Sequence, residues 1–169
     1  MRGVFINNMR VRLKRCRTRK SIRRGAISFG IGFVFFGFIS EQVHFIKSLT
    51  DSLPEHYFVQ LPKLTPKVGD LTIVYNPFYG GRLIKKIIGQ AGDQITTDAV
   101  GDLWVGQKLV GKVYPQTAEG KKLNRTRDQV IPEGQVFLYS PHPKSFDSRY
   151  LEVGLVPVAD LEGLVIAII

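Results

Sequence analysis

From residue 50 onward the chain never sustains a helical period, and this constrains its fold more than any other feature. Short β-branched and aromatic runs alternate instead with Gly, Pro, Asn and Asp. Tyr57 to Leu61 ends at Pro62, and Leu71 to Tyr75 lies between the turns Lys67–Asp70 and Asn76-Pro77. Leu83 to Ile88 closes on Gly89 to Asp93. Gln94 to Thr97, Leu103 to Val105, Gln107 to Val113, Val136 to Ser140 and Gly163 to Ile169 follow as further strand candidates. Runs this short with this punctuation are strands and turns, so the spacing predicts an all-β domain of about 115 residues. Segment 114–135 is polar and turn-rich and reads as a loop or small insertion.

The N-terminal part is different. Residues 1–24 hold ten basic side chains and no acidic one, and Gly25 to Ser40 follow as sixteen residues without a charge. Sixteen is short for a membrane span, which needs about 20 residues. Arg23 and Arg24 can snorkel at one end, and the half-apolar stretch to Ile46 extends the other. Glycines at 25, 30, 32 and 37 suit a transmembrane helix better than a water-exposed one. A buried core helix and a cleaved signal peptide are the rivals. The second lacks a clear small-x-small cleavage site, since Ser40-Glu41-Gln42 is a weak one. The expectation is a cytoplasmic basic arm over 1–24, a transmembrane helix over 25–46, a linker around 41–54 overlapping its end, and an extracytoplasmic domain over 47–169. Because positive flanks stay inside, the domain faces the periplasm from the bacterial inner membrane, and the arm is suited to anionic headgroups.

With the arm set aside, fourteen basic residues balance fourteen acidic ones, which argues against a nucleic-acid-binding surface on the domain. A single cysteine, Cys16, excludes an intramolecular disulfide and a cysteine zinc cage. His44, His56 and His142 are too scattered to suggest a metal site; His56 and His142 read as surface or cleft-edge residues, and no cofactor is expected.

Three segments carry the chemistry. They are Asp51-Ser52-Leu53-Pro54, the stretch from Arg82 through Lys85-Lys86-Ile87-Ile88-Gly89 to Gly92-Asp93, and Ser145-Phe146-Asp147-Ser148-Arg149-Tyr150 followed by Val156-Pro157. In this order, behind a basic arm and an apolar run, they resemble the type I signal peptidases, and more closely the conjugative-transfer signal peptidases of TraF type. The resemblance covers roughly residues 48–169. It implies a signal-peptidase-like β domain behind a single membrane helix, with Ser52 as nucleophile and Lys85 as general base. Ser145 and Asp147 then match the supporting residues of the last box, and Arg149 the partner of that aspartate. The oxyanion donors implied are the Ser52 amide and a group near Asp51. The common S-M-x-P signature is replaced by Ser52-Leu53-Pro54, and the last box lacks its Gly-Asp opening. The run from His142 to Arg149 is similar to the transfer branch.

The residue types make chemical sense. A serine hydroxyl needs an adjacent base to act as a nucleophile. A lysine becomes that base when apolar surroundings lower its pKa from about 10.4 by a few units. Strand alternation places Leu83, Lys85 and Ile87 on one face and Ile84, Lys86 and Ile88 on the other, so one lysine of the pair faces inward. Asp147 and Arg149 read as an ion pair supporting the fold. Phe58, Phe78 and Tyr79 fit either a seat on the lipid surface or plain core packing.

The resemblance implies an endopeptidase that cuts an exported precursor at small residues. The expected substrate is a pilin or another component of a plasmid-borne conjugative type IV secretion system, with other transfer-apparatus proteins as further partners. A housekeeping type I signal peptidase and a catalytically silent, membrane-anchored assembly module are the alternatives.

Overall fold

The computed structural model describes residues 43–48, 53–117 and 120–168. These form eleven strands in two antiparallel sheets. The larger takes β1 (His44–Lys47), β2 (Tyr57–Leu61), β3 (Leu71–Asn76), β4 (Gly81–Gly89), β9 (Gln135–Tyr139), β10 (Val156–Pro157) and β11 (Leu161–Ala167). Its order is β1-β2-β11-β3-β4-β9-β10. The smaller takes β5 (Gln94–Thr97), β6 (Asp102–Val105), β7 (Lys108–Lys112) and β8 (Gln129–Val130), in the order β7-β6-β5-β8. One short 3-10 helix, Val158–Asp160, leads into β11.

Eight of these strands overlap the runs expected from sequence. Three do not, and each has a local reason. β8 and β10 are two residues long, too short to show any period. β1 lies where the sequence suggested the end of a membrane helix. There His44 pairs with Gln60 and Lys47 with Tyr57, so antiparallel bonding to β2 fixes this stretch as extended. The remainder of that expected helix, 25–42, and the basic arm 1–24 lie outside the described residues. Among the described residues no helix is long and apolar enough to cross a membrane. Segment 114–135 also differs from a plain loop. It contributes β8, bridges Gln116 to Lys122 and Arg125 to Tyr150, and buries Leu123 and Ile131.

Three apolar clusters hold the domain together. Val74, Leu83, Ile87, Val136, Leu138 and Val156 pack on one face of β3, β4 and β9. Leu53, Phe58, Ile73 and Val165 pack on the opposite face, joined by the partly buried Ile46 and Ile84. Ile88 and Phe137 meet Ile95, Leu103, Val105, Val110 and Ile131 of the smaller sheet's side. Phe58 is thus a core residue, fully buried, whereas Phe78 and Tyr79 are exposed.

Gly89 ends β4 where the sheets meet. Its pairing with β9 shifts register between Ile87 and Gly89. A Cβ here would lie 2.6 Å from Val105 Cγ1 and 2.8 Å from Ile131 Cδ1. This crowding explains the glycine that follows Lys-Lys-Ile-Ile. Gly89→Ala is expected to destabilise the domain by about 1–3 kcal/mol, the usual cost of overpacking. A thermal unfolding midpoint lowered by several degrees would bear this out, and an unchanged midpoint would contradict it.

Candidate active site

β4 carries Lys85 into the interior. Leu83, Lys85 and Ile87 are buried while Arg82 and Lys86 are exposed, as alternation requires. The Lys85 side chain is 2% exposed, and its Nζ donates to Ser145 Oγ at 2.8 Å. Burial disfavours the charged amine and lowers its pKa from 10.5 to about 8; the Asp147 carboxylate opposes the shift and the Arg149 guanidinium adds to it.

Ser145 is placed by a loop with an ionic centre. Asp147 and Arg149 are both buried, and Arg149 Nε meets Asp147 Oδ1 at 2.8 Å. Arg149 Nη2 also donates to Asp147 Oδ2 at 2.9 Å, making the pair bidentate. The same oxygen accepts the Ser140 amide at 3.1 Å, tying the loop to the end of β9. The other guanidinium bonds go to backbone carbonyls of Pro143, His142 and Ser145 itself. The ion pair therefore fixes the loop on which the Lys85 partner stands. Ser148 adds a second tie, since its Oγ accepts the Leu138 amide and its own amide donates back to the Leu138 carbonyl.

A cleft of about 490 Å³ lies against this centre, lined by Leu53, Ile73, Tyr79, Arg82, Leu83, Ile84, Lys85 and Phe146 among others. Four consecutive residues of β4 reach it, so it follows the strand edge and sees both faces. Pairing explains the access. β3 covers one side of β4 from Gly81 to Lys86, whereas β9 joins the other side only from Lys86 onward. Among the described residues, no strand occupies the second side of 81–85.

Four of the five site residues expected from sequence thus converge: Lys85, Ser145, Asp147 and Arg149. Ser52 lies outside the described residues. Its neighbour Leu53 is buried and lines the same cleft as Lys85. The walls Tyr79 and Phe146 were not singled out as site residues, although Phe146 stands inside the last motif. Phe146 stacks on Phe78, Tyr79 and Tyr150 at centroid separations of 5.5, 6.0 and 6.1 Å. His142 accepts the Lys144 amide within its turn, and His44 lies near Gln60 Oε1 at the cleft. Among the described residues no three His, Cys, Asp or Glu side chains group as metal ligands.

Removing one partner of a buried pair leaves the other charge uncompensated. Asp147→Ala or Arg149→Ala is therefore expected to cost about 3–5 kcal/mol. Arg149→Lys should recover little of this, because an ammonium cannot span a carboxylate and three carbonyls as the guanidinium fork does. Denaturant unfolding of the three variants checks both statements; losses below about 1 kcal/mol would contradict them.

Residues 18–169 match the family model described as signal peptidase, peptidase S26. No curated protein sequence matches the chain. A solved structure of a signal peptidase I from Enterococcus faecalis V583 is similar over 59% of this chain and 95% of that one, at 24% identity and a TM-score of 0.38. The family match spans both the lysine strand and the loop that holds Ser145. The chain therefore belongs to the signal peptidase family, a family of serine peptidases.

Proposed function

We propose that this protein is a membrane-anchored Ser–Lys endopeptidase, with Ser52 as nucleophile and Lys85 as general base. The observation that carries the reading is the buried Lys85 amine, held at 2.8 Å by Ser145 Oγ and facing an open cleft. The position of Leu53 on that cleft supports the pairing with Ser52.

The reaction begins as the neutral Lys85 amine takes the proton of the Ser52 hydroxyl while Oγ attacks the scissile carbonyl. The tetrahedral oxyanion rests on backbone donors, the Ser52 amide among them. Its collapse breaks the C–N bond, and Lys85 returns the proton to the leaving amine. Water, deprotonated by the same amine, then releases the acyl group from Ser52. Ser145 is a positioning residue, since its hydroxyl accepts one Nζ–H and aims the lone pair.

The substrate is an exported precursor bound in extended form along the free side of β4 residues 81–85. There its backbone adds to the sheet edge. Small apolar side chains at the cut suit the apolar wall that Leu53, Ile73 and Ile84 give this cleft. The likeness of the run from His142 to Arg149 to the transfer branch, together with the missing S-M-x-P after Ser52, favours a pilin or another conjugative type IV secretion component over a general secretory precursor. In the same reading the domain faces the periplasm from an inner-membrane anchor, with the basic arm in the cytoplasm.

Co-expression with candidate pilin precursors and one housekeeping precursor, read by mass spectrometry, tests this directly. Wild type is expected to shorten the pilin-type precursor, and Ser52→Ala and Lys85→Ala to leave it intact, a loss of at least about a thousandfold for groups that act as one unit. Processing that persists in both variants would contradict the dyad. If no precursor is cut by wild type, a silent assembly module becomes the better account.

The amine must be neutral to act. With a pKa of about 8, kcat/KM should rise with pH through that value and level off above it. A profile already flat from pH 6 would contradict Lys85 as the base.

A further inference from the structure

Just past the end of β9 stands Ser140, a residue the catalytic reading does not use. It is 0% exposed, and among the described residues its Oγ has no hydrogen-bond partner. Its amide is already engaged, donating to Asp147 Oδ2 at 3.1 Å. A buried hydroxyl left unbonded costs stability, so its presence here needs a physical reason.

Strand register shows what this hydroxyl faces. Lys86 pairs with Tyr139 and Ile87 with Leu138, so one step further the residue opposite Lys85 is Ser140. The backbone groups of Ile87 turn the other way, its amide to the Asp70 carbonyl and its carbonyl to the Gly69 amide. Those of Leu138 are likewise taken up by Ser148. Ile87 and Leu138 are therefore a non-hydrogen-bonded pair. Lys85 and Ser140, two residues further along, fall in the same class. In such a pair the Cα atoms are about 4.5 Å apart and both side chains stand on one face.

Ser140 thus belongs to the surroundings of the base. The charged groups that act on the Lys85 amine are Asp147 and Arg149, and Asp147 is also the group that holds the Ser140 amide. On the β3 side Lys85 faces Thr72, which is neutral and whose hydroxyl already donates to the Gly163 carbonyl at 2.9 Å. The amine itself donates to Ser145 Oγ at 2.8 Å. That bond uses one N–H, whereas an ammonium carries three.

We propose that Ser140 is a second positioning residue for Lys85, its hydroxyl accepting another N–H once the amine carries the proton of Ser52. This rests on the peptidase reading above. As Ser52 Oγ attacks the scissile carbon, its O–H bond breaks and an Nζ–H bond forms. Ser145 and Ser140 then hold one N–H each, and the third faces the leaving nitrogen, to which the proton passes. One acceptor alone lets the amine spin about the Nζ–Oγ axis; two fix it. The bond to Ser140 is strongest while the charge is on Nζ, the stage at which positioning matters.

The test is Ser140→Ala in the full-length chain in detergent, which removes the hydroxyl and little else. Lys85 is titrated by NMR of labelled lysine. An acceptor favours the charged form, so the variant's Lys85 should titrate about one pH unit below that of wild type. On peptides based on a cleaved precursor, kcat should fall about tenfold with KM within about twofold, as expected of one hydrogen bond to a charged group. The thermal unfolding midpoint should equal or exceed that of wild type, because an unbonded buried hydroxyl is gone. A looser fold would then not account for the lost rate.

A Lys85 titration unchanged from wild type, or an unchanged kcat, overturns the proposal and leaves the peptidase reading intact. A midpoint several degrees below wild type makes Ser140 a structural residue and overturns it as well. If wild type cuts no peptide, the peptidase reading falls and the proposed role falls with it.

Discussion

The amine of Lys85 is the constraint around which this domain is arranged. A lysine 2% exposed in mid-strand carries a heavy desolvation penalty when charged, and the apolar side chains on either side of it offer no relief. The fold compensates only in part. It supplies one hydroxyl at 2.8 Å, while the nearby carboxylate of Asp147 is already bound on both oxygens by Arg149. An amine in these surroundings sheds its proton far more readily than one in water. The Asp147–Arg149 pair serves this arrangement without touching the reacting atoms. It holds the loop rigid and its charges nearly cancel, so the lysine is neither strongly stabilised as a cation nor driven away.

This arrangement makes the buried loop costly to build and explains its bonding. A bidentate ion pair, three loop carbonyls and the Ser148–Leu138 exchange satisfy nearly every polar group around Ser145. The smaller sheet contributes from further away. By packing Val105 and Ile131 against Gly89 it fixes the end of β4, and with it the point where β9 begins to pair. Up to that point the strand keeps a free side, and the cleft follows it. Access to Lys85 is thus a consequence of where one strand pairing starts.

Much of this was legible in the residues, and what was not had physical reasons. Alternation put Lys85 and Lys86 on opposite faces, but Ile84 and Ile88 make the second face as apolar as the first, so it was the resemblance to the family motif that picked Lys85. The Asp147–Arg149 pair was legible through the resemblance of the last segment to the family box, not through any period, because the two residues stand in a turn closed by the Tyr150 amide on the Asp147 carbonyl. β1 was not, since HFIK is equally apolar as a helix end and only its partner Tyr57–Leu61 decides the matter. Ile131 was hidden in a polar segment, because a single core residue makes no pattern. The cleft walls Tyr79 and Arg82 were missed for a similar reason. Their meaning depends on which strand edge is left unpaired, a tertiary fact with no sequence period.

The most direct test is the titration of Lys85 itself, followed by NMR through the side-chain Cε and Nζ signals of labelled lysine and assigned with Lys85→Arg. A pKa near 8 is expected, which leaves about a tenth of the amine neutral at pH 7. A Lys85 that titrates with the exposed lysines at about 10.4 would leave only a trace of free base and would contradict the account.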